Sequence, residues 1–101
     1  MIRNAYLKKA EKRLHRLNEE IDSLSKRAVS AEVEARAQFV NRIESLRSKA
    51  DAARQRIEAI RTAGAASWGQ LKNDFENAIE DLRKGVEKAI QRFRKTGSDN
   101  R

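Results

Sequence analysis

Arg42-Ile43-Glu44-Ser45-Leu46-Arg47-Ser48-Lys49-Ala50-Asp51-Ala52-Ala53-Arg54-Gln55-Arg56-Ile57-Glu58-Ala59-Ile60-Arg61 is the stretch whose reading decides the fold. Ile43, Leu46, Ala50, Ala53, Ile57 and Ile60 follow one another in alternating steps of three and four, the spacing of a heptad seam on one helix face. Both borders of the seam are basic, with Arg42, Lys49 and Arg56 on one side and Arg47, Arg54 and Arg61 on the other. Glu44, Asp51 and Glu58 lie further round. Two copies paired directly would set like charges together in either orientation, so the segment calls for an acidic neighbour.

Toward the C-terminus, Thr62-Ala63-Gly64-Ala65-Ala66-Ser67 punctuates the pattern. Gly64 suits a left-handed helix end, and Ser67 with Gln70 matches a capping box, so a turn is expected at 62–67. Beyond it, residues 68–78 align with 79–89, and residue 90 opens a third copy, an 11-residue repeat. The repeat lines up Trp68, Ile79 and Ile90, Leu71, Leu82 and Phe93, Phe75 and Val86, and Ala78 and Ala89 on a nearly straight stripe. This second helix carries Asp74, Glu76, Asp81 and Glu87. An antiparallel return at Gly64–Ala66 makes facing residue numbers add to about 130. Arg56 then meets Asp74, Arg54 meets Glu76, Lys49 meets Asp81, and Arg42 approaches Glu87. Such exposed pairs contribute only ~0.2–1 kcal/mol each, so they select a register while apolar burial stabilises it. The expected unit over 36–95 is a helical hairpin with Ile43, Leu46, Ile57, Ile60, Trp68, Leu71, Phe75, Leu82 and Val86 in its seam. Trp68 and Phe93 read as core plugs at the two ends of its second helix. Residues 96–101, polar and without apolar anchors, read as a disordered tail.

Toward the N-terminus the seam continues through Leu7, Ala10, Leu14, Leu17, Ile21, Leu24 and Ala28. Ala31, Ala35, Phe39 and Ile43 then follow in three successive steps of four, a stutter. No Gly or Pro lies between residues 1 and 63, so one helix of about 58 residues and ~85 Å is the favoured reading. Residues 1–35 then form an oligomerisation arm, because an exposed seam of Leu7, Leu14, Leu17, Ile21 and Leu24 does not stay in water. An antiparallel homodimer covers it, matching Arg13 with Glu34 and Glu20 with Arg27, though Glu11 then faces Glu32. Low helix propensity at Ser25–Ser30 leaves an alternative: a break there, and a three-helix bundle within one chain that buries the same seam. Either way the fold class is all-α and elongated.

The 101 residues are 38% charged and only 5% aromatic, with no Pro and no Cys, which excludes disulfides and sulfur-based zinc sites. Strands lack their turn residues. The only His, His15, sits beside Arg13 and Arg16 with no second metal ligand, and the four Gly form no phosphate loop. The carboxylates lie on charged faces rather than in a pocket that would shift them, so no catalytic residue, cofactor, metal or small-molecule substrate is expected. The start shows no signal peptide and no stretch approaches a membrane span, which makes a cytoplasmic protein the expectation.

The formal net charge is +8, and residues 1–30 carry eight bases against four acids. Lys8, Lys9, Lys12 and Arg16 face away from the seam and could meet phosphates. Three roles follow, in order: a non-enzymatic coiled-coil scaffold acting by homo-oligomerisation or partner binding; an amphipathic-helix protein at an anionic membrane surface; and nonspecific nucleic-acid binding. The second rests on bases bordering an apolar stripe. The third ranks last because no aromatic residues or recognised motif accompany the bases.

Trp68, Leu71 and Lys72, followed by Gly85-Val86-Glu87-Lys88-Ala89, carry a family resemblance. With the long charged helix before them, they resemble small bacterial coiled-coil proteins, some labelled stress-response proteins and often likened to apolipoproteins. The resemblance implies a helical, non-catalytic protein and no site residues to carry over.

Overall fold

The computed structural model describes the backbone of residues 2–99 and the side chains of residues 2–33 and 35–94. Among these, three helices form an all-α rod: α1 (Ile2–Val29), α2 (Val33–Thr62) and α3 (Trp68–Asp99). Its extents are 54 × 19 × 16 Å, and its radius of gyration is 16.1 Å, against ~13 Å for a compact domain of this length.

The long first helix is broken, contrary to the favoured reading, and the alternative holds. Val29, Ser30 and Val33 are weak helix formers. The last turn of α1 closes through Ser30 N–H to Arg27 O (3.1 Å) and Ala31 N–H to Ala28 O (3.1 Å). Lys26 and Arg27 lie in that turn, where cations favour a helix C-terminus. Glu32 is extended (φ −62°, ψ 154°) and starts α2, its carbonyl accepting from the Arg36 N–H at 2.8 Å. The break forgoes a few helical hydrogen bonds at ~1 kcal/mol each. It lets five large side chains of α1 go inside, at ~1.5–3 kcal/mol apiece. Burial wins.

The turn between α2 and α3 lies where expected but is built differently. Gly64 has φ −75° and ψ 168°, so no left-handed residue ends the helix. The end of α2 is capped from another helix instead: the Arg3 guanidinium of α1 donates to Ala63 O (2.6 Å) and Ile60 O (3.4 Å). A single 3₁₀ turn, Ala65–Ser67, leads into α3. The capping box is not formed; the Gln70 amide donates to Asp74 at 3.1 Å. Helix α3 runs on to Asp99, so residues 96–99 extend it rather than form a tail, and residues 100 and 101 lie outside the described ones.

Each helix contributes one seam to a continuous core. It comprises Leu7, Ala10, Leu14, Leu17, Ile21, Leu24 and Ala28 from α1. Phe39, Ile43, Leu46, Ala50, Ala53, Ile57 and Ile60 come from α2, and Phe75, Ile79, Leu82, Val86, Ala89 and Phe93 from α3. All three follow alternating steps of three and four. The 11-residue stripe of α3 narrows to that line, leaving Trp68, Leu71, Ala78 and Ile90 as half-buried flanks. Phe39 meets Phe93 with centroids 3.8 Å apart, and Lys49 meets Asp81 at 3.4 Å, so α2 and α3 run antiparallel. Gly85 lets them approach closely, since a Cβ there would lie 2.8 Å from Leu46 Cδ2. No buried polar side chain occurs among the described residues.

Candidate interaction surfaces

The predicted oligomer seam is interior. Leu7, Leu14, Leu17, Ile21 and Leu24 are buried against α2 and α3 of the same chain, so they present no surface to a second copy. The predicted hairpin seam is also inside, with Trp68 and Leu71 at its edge.

The basic borders of α2 are shared between two neighbours. Lys49 reaches Asp81 of α3 as expected. Arg47 pairs with Asp22 of α1 at 3.1 Å, and Arg61 with Glu11 of α1 at 3.2 Å. The other expected pairs are not formed. Arg54 turns to Asp51 of its own helix (2.8 Å), and Glu87 pairs with Arg83 (3.0 Å). Arg56 and Arg42 make no ion pair among the described residues. Only the Lys49–Asp81 pair of that set forms, because exposed pairs are too weak to resist a rival partner.

Glu76 has such a rival. Arg13 of α1 grips it with two hydrogen bonds, of 2.9 and 3.0 Å, and the Tyr6 hydroxyl donates to its Oε2. The Arg13 hydrogen bonds hold the Glu76 carboxyl below the usual carboxylate range, partly opposed by burial. Burial first, then the Glu76 contact, pushes the Tyr6 phenol up. The Tyr6 ring sits edge-on to Trp68 (5.3 Å) and Phe75 (6.1 Å), with Lys72 Nζ 5.3 Å above it. Sequence reasoning missed Tyr6. Its signal was its place four residues before Ala10, on the flank of the seam.

Three surfaces remain open. The first is apolar, at the α1–α2 turn, where Val29, Val33 and Val40 are 71%, 75% and 43% exposed. Val29 and Val40 line a hollow of about 240 Å³ with Ala28 and Ile43, rimmed by Arg36, Glu44 and Arg47. The second is a groove of about 350 Å³ between α1 and α3, which meet less closely than either meets α2. Its apolar floor (Leu17, Ile79, Val86) is already buried, and Arg16, Glu20 and Arg83 are among its walls. The third is the outer face of α1 with Lys8, Lys9, Lys12 and Arg16, all exposed as expected.

Among the described residues no group of His, Cys, Asp or Glu is placed to hold a metal ion, and no helix is long and apolar enough to cross a membrane. No family model, curated protein or solved structure matches the chain significantly.

Proposed function

We propose that the chain is a non-enzymatic helical scaffold that acts through protein–protein contact, first with a second copy of itself. The observation that carries this reading is the exposed apolar edge of Val29, Val33 and Val40. The other large apolar side chain exposed among the described residues, Ile2, lies at the opposite end of α1, whereas a cluster of exposed β-branched side chains is what a protein contact covers. Its rim holds both signs of charge, Arg36 and Arg47 with Glu44, as a two-fold contact needs when one patch must complement itself. The homo-oligomer of this reading is therefore built from folded bundles, end to end at the α1–α2 turns, and not from paired α1 seams.

The α2–α3 pair is read as a coiled-coil hairpin on its steps of three and four. The likeness to small bacterial coiled-coil proteins is held on the same footing, on Trp68, Leu71, Lys72 and residues 85–89.

Light scattering after gel filtration tests the scaffold. The expected mass exceeds the 11.6 kDa of one chain and falls to the monomer in Val33→Asp, an exposed position whose change leaves helix content intact. A wild-type chain that stays monomeric at hundreds of micromolar overturns self-assembly.

A further inference from the structure

We propose that the outer face of α1's first half binds the phosphate backbone of a nucleic-acid duplex without sequence choice. Residues 1–16 hold six bases (Arg3, Lys8, Lys9, Lys12, Arg13, Arg16) and one acid, Glu11. The tertiary structure sorts them. Arg3 caps the end of α2, and Arg13 is held by Glu76. Glu11 is turned toward α2 and bound by Arg61 at 3.2 Å. The next acid along the outer face, Glu19, lies one turn beyond Arg16, with His15 Nε2 at 3.5 Å, an ion pair only when that imidazole is protonated. Lys8, Lys9, Lys12 and Arg16 are thus left exposed and without ion pairs among the described residues, on an arc of about 100°.

The geometry suits a polyphosphate rod. Lys8, Lys12 and Arg16 follow steps of four on a straight helix, so their stems rise ~6 Å apart over ~12 Å. A duplex lying along that line presents about seven phosphate charges in the same length. The bundle packs the opposite face of α1 along its length, so the four cations share one exposed face of a supported helix. A membrane surface is less well matched. Interfacial helices insert an apolar face beside their bases, whereas the apolar stripe of α1 is packed inward here. This inference is independent of the scaffold reading, since it uses a different face.

Fluorescence anisotropy with a labelled 20-bp duplex of arbitrary sequence tests it. Four phosphate contacts predict a slope of about −3.6 in log K against log salt, hence ~10²-fold weaker binding at 200 mM than at 50 mM. Lys8→Gln/Lys9→Gln/Lys12→Gln/Arg16→Gln is expected to weaken binding at least tenfold and flatten the slope. Lys84→Gln/Lys88→Gln/Arg92→Gln/Arg94→Gln removes the same charge from exposed positions of α3 and is expected to stay within threefold of wild type. Should the first variant lose helix content, the single change Lys12→Glu is expected to weaken binding several-fold with the fold intact. Equal losses in the two quadruple variants overturn the assignment, as does no binding at 50 mM salt. Capture by vesicles containing phosphatidylserine, without binding to the duplex, also overturns it.

Discussion

Glu76 is claimed by two side chains of α1, and its fate shows how little of a polar contact is written in linear spacing. Counting residues across the turn assigns it to Arg54, a pairing that needs only α2 and α3. Helix α1 brings a bidentate guanidinium and a phenol to the same carboxylate, which outcompetes one exposed monodentate pair. Glu76→Gln is expected to lower stability by about 1 kcal/mol at pH 7, discounted for the partial exposure of the pair. The sign with pH follows from the direction of its shift. A carboxyl depressed in the folded state stabilises fully above its unfolded pKa of ~4.3, and that stability is lost as pH falls through the folded value. Melting curves of the two proteins should therefore differ at pH 7 and converge as pH falls through the depressed folded-state value. A gap that does not narrow at all on acidification would assign the effect to packing.

At the scale of the helix, two glycines of α3 separate propensity from packing. Gly69 has open space at its Cβ position, whereas Gly85 faces Leu46 Cδ2 at 2.8 Å. Gly69→Ala is expected to gain up to ~1 kcal/mol of helix propensity, or about 4–8 °C in Tm. Gly85→Ala carries the same propensity gain but must displace a buried leucine, so its Tm is expected to fall below that of Gly69→Ala. Equal gains would mean that α2 and α3 are not in close contact there. The two helix boundaries divide similarly. The α2–α3 turn was legible from its glycine and small residues, but its cap was not, because Arg3 lies about 60 residues away in sequence. The α1–α2 break was legible only as a dip in propensity at Ser25–Ser30, which does not decide between a bent and a straight chain. Its position is shifted a few residues on, to Ser30–Glu32, inside the stutter where the seam changes step.

For the whole molecule, the consequence is a short bundle instead of an ~85 Å helix. Small-angle scattering on the Val33→Asp variant is expected to give a radius of gyration close to the 16.1 Å of the Cα positions. A value twice as large would restore the straight first helix. The helical class, the seams of α1 and α2 and the basic surplus were determined by the sequence itself, since each depends only on composition and on spacing along one chain. Which seam meets which was decided by tertiary structure alone. An antiparallel dimer and a folded bundle bury the same leucines and isoleucines, so periodicity cannot choose between them. They differ in what must be brought together: one closes a three-residue loop, the other immobilises a second chain, and the loop is the smaller entropic loss. Several acids of α1 and α3, once the three helices meet, take a nearby arginine, and Lys8, Lys9, Lys12 and Arg16, left over, define the charged face.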